Sequence, residues 1–264
     1  MEKIFIYVLT HKKFDYDDDG LHVPLLNGSA SQDEDFGYFR DDSGDNISNL
    51  NKYYAELTGE YWVWKNSKAD IIGFCHYRRY FAKNFLLTKK IDKNDIIKIL
   101  EDYDIIMPKR NKLTKTNIKN ISNSFTDFGY GTNPKEYEKL RKILEDYYPG
   151  YLGTFDEVLN SKWCYWYNIF ICKKELADKY FEWLFDILKK MENEVCFEEY
   201  ENQRVLGFLS ERLLTVFIVK NELKVKEKHI IFSESKMPHI SIIGFKLPFL
   251  VDIYDYIKKI FLKN

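Results

Sequence analysis

Apolar residues fall along this chain in two rhythms. Short unbroken runs occur at residues 4–9 in IFIYVLT, 71–75 in DIIGFCH and 105–107 in DIIMP. Their length and β-branched content suit strands buried on both faces. YWYNIFICK reads as a further strand. The longer segments repeat apolar residues every third or fourth position. In SNLNKYYAELTGEYWVWKN, Leu50, Tyr53, Tyr54, Leu57, Tyr61 and Trp64 predict one continuous amphipathic helix, with Asn51, Ala55, Thr58 and Trp62 along a second stripe. Another helix opens at Asp92, with Asp95 in its first turn to suit the dipole. In NPKEYEKLRKILEDYYP, Asn133 is the predicted N-cap, Pro134 the first helical residue and Glu136 the partner in a capping box. ELADKYFEWLFDILKKMENEV places Leu176, Tyr180, Phe181, Leu184 and Leu188 on one face, and QRVLGFLSERLLTVFIVKN gives the last strong helix. Residues 15–46 are polar and rich in Gly, Ser and Asp, and predict a long loop. Strand–helix–strand order predicts an α/β domain over residues 1–264, with a mixed, mainly parallel sheet flanked by helices and a C-terminal segment at 225–264. No repeat and no linker divides it.

Composition narrows the function. With 45% hydrophobic and 31% charged residues among 264, the chain can build a sizeable core. A formal net charge of −1 gives no electrostatic support to a nucleic-acid partner. Aromatic residues reach 17%, which fits core filling first and sugar-stacking surfaces second. Cys75, Cys164, Cys172 and Cys196 form no CxxC pair; their apolar surroundings predict buried free thiols in a reducing compartment, and no zinc site. The run at residues 4–9 is too short for a secretory leader or a span, so a cytoplasmic protein is expected. IKKIFLKN at the end would allow peripheral attachment at the inner membrane face.

The chemistry concentrates in DIIGFCHYRRYF, where an apolar strand runs into His76, Arg78 and Arg79. In open α/β sheets ligands bind beyond the carboxyl ends of the strands. Two guanidiniums there must be solvated, paired with carboxylates such as Asp70 or Glu56, or engaged with an anionic ligand. Arg suits phosphate through its bidentate donor fork. His76 can donate to a phosphate or a sugar hydroxyl, or act as a base. Thr10 and His11 end the first strand at the same edge, and such a donor-rich cleft suits a nucleoside diphosphate and a sugar. Asp17 and Asp19 in DYDDDG have DxD spacing but lie in the early polar loop and read as a solvated turn. His22 and His229 have no constellation around them.

ELTGEYWVWKN, GFCHYRRYF, DIIMPK and LGFLSERLLTVFI together resemble the signature blocks of a bacterial glycosyltransferase family long catalogued as a domain of unknown function. Its members occur in capsular, exopolysaccharide and lipopolysaccharide assembly. The resemblance runs from IYVLTHKKF to ERLLTVF, with HYRRYF its most specific part. It implies a GT-A-like fold and transfer of a sugar, with galactose in pyranose or furanose form expected, from a UDP-sugar to a glycan or lipid-linked glycan. By motif, Thr10 and His11 match the nucleotide-contacting strand end. Asn51, Glu56, Thr58 and Trp62 fall in the NxxYxELTxxYW block, His76, Arg78 and Arg79 in the central block, and Glu211 and Arg212 in the SER block; the resemblance assigns them no roles, and substrate binding is our expectation for the first four and Arg212. A DxD motif after a central strand, usual in GT-A enzymes, is missing, because that strand ends in HYRR. Arg78 and Arg79 are therefore expected to neutralise the leaving diphosphate; His239 in KMPHI, beside Lys236, is assigned there by likeness to the C-terminal loops of similar enzymes, with a plain surface loop the favoured alternative. No metal ligand is assigned, and manganese or magnesium is the less favoured alternative. Glu211 is the first candidate base, with a structural ion pair to Arg212 or Arg204 as its competing explanation and Glu56 and Asp127 in reserve. Two rivals stand beside this: a non-catalytic carbohydrate-binding or assembly protein, and a sugar phosphotransferase.

Overall fold

The computed structural model describes residues 2–84, 87–112, 121, 134–199 and 204–233. Its centre is β1 (Ile4–Thr10) beside β4 (Ile71–His76), in parallel register. Outward from β1 come β2 (His22–Leu26) and β3 (Phe39–Arg40), both parallel. Outward from β4 come β9 (Ile171–Lys173), then β6 (Ile105–Pro108), then β10 (Val225–Lys228), with β9 antiparallel to both its neighbours. The order β10-β6-β9-β4-β1-β2-β3 is thus mixed and mainly parallel. β5 (Arg79–Phe81) folds back on β4, and β11 (Ile230–Phe232) pairs with β5. A small separate ribbon joins β7 (Asn111–Lys112) to β8 (Trp163–Cys164).

Alternation along the central strands explains the two cores. Tyr7, Leu9, Ile72 and Phe74 point into one, under α2 (Leu57–Asn66), α4 (Pro134–Tyr147), α5 (Pro149–Asn160), α6 (Lys174–Glu192) and α7 (Val205–Lys220). Ile4, Ile6, Val8, Ile71 and Cys75 point into the other, closed by Ile96 and Leu100 of α3 (Lys93–Asp102). The capping box expected at Asp92 is present, completed by Asp95.

The fold departs from the sequence pattern in four places. The helix expected across residues 48–66 is broken. A short α1 (Asn51–Tyr54) ends at Ala55, whose φ of 53° and ψ of −127° is a strained conformation for a residue with a Cβ. The side-chain amide of Asn51 donates to the Ala55 carbonyl at 2.7 Å and to Thr58 Oγ1 at 3.0 Å, so local polar bonds replace the helical ladder there. The stretch 15–46 is not one loop, since it holds β2 and β3. Pro24 disguised β2 as a non-strand, but β3 pairs only with Leu25 and Leu26, so Pro24 sits where β2 is an edge. The strand expected from YWYNIFICK starts only at Ile171, and the helix α5 was not foreseen. The segment from 225 begins with two strands rather than as an appendage. Cys75, Cys164 and Cys172 are buried as expected, whereas Cys196 is exposed.

Candidate active site

β1 connects to β2 on one side while β4 lies on its other side, so the chain changes direction between β1 and β4. A crevice opens beyond the carboxyl ends of strands at such a point. Here His76, the last residue of β4, stands in register with Leu9, and the Tyr77 amide donates to the Leu9 carbonyl at 3.2 Å. Thr10 is buried, its hydroxyl donating to the Lys12 carbonyl at 2.7 Å and closing the turn that leaves β1. His11 is exposed, its ring edge-on to Tyr77 with centroids 5.6 Å apart. Thr10, His11 and His76 therefore meet at one edge.

HYRRYF is a hairpin rather than a strand with a cationic tail. His76 pairs with Arg79 across the turn at Tyr77 and Arg78. This separates the two arginines: Arg78 is exposed with its guanidinium 5.0 Å over the Tyr77 ring, and Arg79 is half-buried on β5, 4.4 Å over the Tyr167 ring. Asp70 and Glu56, the internal acids considered for them, are otherwise engaged: Asp70 accepts the Lys3 amide at 2.8 Å, and Glu56 pairs with Arg204 at 2.9 Å. Among the described residues, Arg79 Nε is buried without a hydrogen-bond partner, and no carboxylate pairs with the Arg79 guanidinium.

The loop between β8 and β9 reaches His76 and links it to two carboxylates. Tyr167 at φ 82° and Asn168 at φ 49° are consecutive non-glycine residues in the left-handed region. Such strain persists only where surrounding contacts over-determine it, and it gathers at functional sites. The contacts are explicit. The Tyr167 carbonyl meets His76 Nε2 at 3.0 Å, and its amide donates to Glu211 Oε1 at 3.1 Å. Asn168 Nδ2 donates to Glu56 Oε1 at 3.1 Å and to the Gly207 carbonyl at 3.3 Å. Two residues thus tie His76, Glu56 and Glu211 into one cluster, drawn from β4, the α1–α2 break and α7.

Their charges differ. Burial opposes ionisation of Glu56, but the charges of His76 and Arg204 and the Asn168 amide hold it below the usual carboxylate range. Burial keeps the His76 imidazole below its ordinary value despite the Glu56 carboxylate beside it. Burial pushes Glu211 above the ordinary range against the pull of Arg212, which donates to Glu211 Oε2 at 2.7 Å. The ion pair foreseen for Glu211 therefore forms, with Arg212, while Arg204 serves Glu56. The Arg212 guanidinium also lies 4.5 Å over the Trp166 ring.

The other expected residues are placed differently. Asn51 Nδ2 and the fully buried Thr58 brace Ala55, the Thr58 hydroxyl donating to the Ala55 carbonyl at 3.2 Å. Trp62 Nε1 donates to the Ser43 carbonyl at 2.9 Å. Asp19 accepts the Leu21 amide at 2.9 Å, the His22 amide at 2.7 Å and His22 Nδ1 at 2.6 Å, while Asp17 pairs with Lys90 at 3.6 Å. The Asp19 carboxylate thus closes a turn, while that of Asp17 is exposed. His22 is a buried structural residue. Asp127, Asn133, Lys236, His239 and IKKIFLKN lie outside the described residues. Sequence reasoning missed Tyr167 and Asn168; the one available signal was Asn168, a residue type that tolerates positive φ.

Comparison with known proteins adds two findings. A family model described as "Domain of unknown function (DUF4422)" matches residues 5–222. A solved structure described as the WbbM bifunctional glycosyltransferase, apo structure, is 31% identical with a TM-score of 0.81, over 88% of this chain and 46% of that one. The chain therefore spans about half the length of that protein. No curated protein matches the chain. Among the described residues, no helix is long and apolar enough to cross a membrane.

Proposed function

The chain belongs to the DUF4422 family, and from that premise we propose that it is a nucleotide-sugar-dependent glycosyltransferase with a GT-A-like fold. The single observation that carries the reading is Arg79: a half-buried guanidinium without a carboxylate partner, beside His76 at the point where the sheet's connections diverge. An anion completes such a site, and a diphosphate matches the guanidinium fork. The likeness to a glycosyltransferase structure supports the same reaction class.

In this proposal a UDP-sugar donor, with galactose expected, lies with its diphosphate on Arg79, Arg78 at the rim and Thr10 and His11 by the nucleotide. The anomeric carbon–oxygen bond to the diphosphate breaks, and the electron pair leaves with UDP. The acceptor hydroxyl oxygen forms the new bond, and its proton passes to Glu211, whose raised pKa suits that task. Tyr167 and Arg212 hold the Glu211 carboxylate, and Asn168 holds Glu56 beside His76. The transition state has oxocarbenium character, which the adjoining carboxylates stabilise. The acceptor is a glycan, lipid-linked in surface polysaccharide synthesis, with the enzyme at the inner membrane face.

A thermal-shift panel of nucleotides and nucleotide sugars, with and without manganese, tests this together with UDP release from the preferred donor. UDP and one UDP-sugar should raise the melting temperature, and Arg79→Ala should weaken UDP roughly 10- to 100-fold while leaving uridine binding unchanged. No response to any nucleotide, or an Arg79→Ala protein that binds UDP normally, sinks the proposal. Saccharide binding indifferent to UDP would favour a binding module. Release of UMP would favour the phosphotransferase.

A further inference from the structure

β1 and β2 are parallel, so residues 11–21 must run back across the sheet, and they do so without a helix. The start of that segment meets residues 32–38, which lead into β3. Four rings gather there: Phe14 with Tyr16, Phe14 with Tyr38, Tyr16 with Tyr38 and Phe36 with Tyr38 have centroids between 5.6 and 5.8 Å apart. The cluster is pinned, because the Tyr38 hydroxyl donates to the Phe14 carbonyl at 2.9 Å and accepts the Phe14 amide at 3.2 Å. Yet it is not core. Tyr16 is 40% exposed, and Phe14, Phe36 and Tyr38 are half-buried.

Position and charge point to an occupant. Tyr38 precedes β3, but its two hydrogen bonds to Phe14 hold it beside the chain that leaves the carboxyl end of β1. Phe14 also touches Tyr77 at 5.8 Å, and Tyr77 touches His11, so the rings run continuously into the crevice mouth. Asp15, Asp33, Glu34 and Asp35 flank the rings in sequence and are exposed. Lys12 and Lys13 are exposed beside Phe14 as well, so these acids outnumber the bases four to two, a balance that favours an uncharged ligand over an anionic one. The carboxylates suit hydroxyl groups, which donate to them. A pyranose has both properties, a C–H face for an aromatic ring and hydroxyls around its edge.

We infer that the Phe14–Tyr16–Phe36–Tyr38 cluster is the acceptor subsite and takes a neutral hexose ring of a glycan. As an acceptor subsite it rests on the transferase reading; as a saccharide site it can be tested apart from it. Saturation-transfer NMR with lactose, melibiose and cellobiose should show transfer to sugar protons in the wild-type protein. Tyr16→Ala combined with Phe36→Ala should cut that binding roughly tenfold, as expected for lost ring contacts, with the UDP-induced thermal shift unchanged. Arg79→Ala should leave saccharide binding intact. If the double variant does not fold, Tyr16→Ala, at the most exposed of the four rings, makes the same comparison. No transfer from any of the disaccharides, or equal transfer in the folded variants, overturns the inference. So does loss of anionic-vesicle co-sedimentation in the variant without saccharide binding in the wild type. UDP binding without saccharide binding ends this inference alone; saccharide binding without UDP binding ends the transferase reading and leaves the sugar site standing.

Discussion

Three carboxyl groups, at the α1–α2 break, in α2 and in α7, show how far environment separates identical chemistry. Glu56 is ionised beside Arg204, Glu211 is raised by burial yet held by Arg212, and Glu60 is fully buried with neither oxygen hydrogen-bonded among the described residues. Burial, reinforced by Glu56, drives Glu60 well above the ordinary carboxylate range. The sign of its effect follows from linkage: the folded state keeps the proton that the unfolded chain loses above about pH 4.5. Its stabilising contribution is therefore present below that pH and lost as pH rises toward the folded value. Urea unfolding of Glu60→Gln should show a gain of about 1–3 kcal/mol over wild type at pH 8 that shrinks at pH 4.5. An equal difference at both values would contradict a protonated Glu60. For Glu211, a base with a raised pKa predicts that log kcat/KM falls as pH drops, starting above the usual carboxylate range. Glu211→Gln should lose roughly 10²–10⁴-fold in kcat with UDP binding retained, and near-normal turnover would remove Glu211 from the mechanism.

Among the elements, the α1–α2 break and the amino end of α7 hold Glu56 by close approach. A Cβ on Gly207 would lie 3.3 Å from the Tyr54 carbonyl oxygen and 3.4 Å from the Ala55 Cβ. Gly207→Ala should thus press α7 away from the break and lower kcat by about tenfold, out of proportion to a small change in melting temperature. Unchanged kinetics would mean that the break is not held by that contact. In the sheet, Gly73 of β4 stands in register with Ile171 of β9, where a Cβ would come within 2.7 Å of Ile171 Cγ1. Gly73→Ala should cost about 1–3 kcal/mol in urea melts through overpacking. The apolar stripes of α3, α4 and α6 were legible in the sequence, and α7 was legible as a long apolar run that is buried on nearly every side. The break at Ala55 was not, since the periodicity of residues 48–66 continues through it. The Ala55 backbone angles and the Asn51 and Thr58 bonds reveal it.

For the molecule as a whole, the proposed ligand couples to stability. A nucleotide that binds only the folded chain at a hundred times its Kd adds about 2.7 kcal/mol. For a chain of this size that is a rise of several degrees in melting temperature, roughly 2–4 °C per kcal/mol. UDP should produce that shift in wild type and a much smaller one in Arg79→Ala. An identical shift in both would place the diphosphate away from Arg79.

The sequence by itself determined the α/β class, the central strands, the main helices and the edge on which His11, His76 and the arginines gather. Those follow from local periodicity and from the rule that parallel strands end on one side of a sheet. Tertiary structure alone decided which charges are satisfied. It separated Arg78 from Arg79 by a hairpin, gave Glu211 to Arg212 and Glu56 to Arg204, and built the strained Tyr167–Asn168 hub between them. Pairing across a crevice depends on distances between residues far apart in the chain, and periodicity carries no information about them.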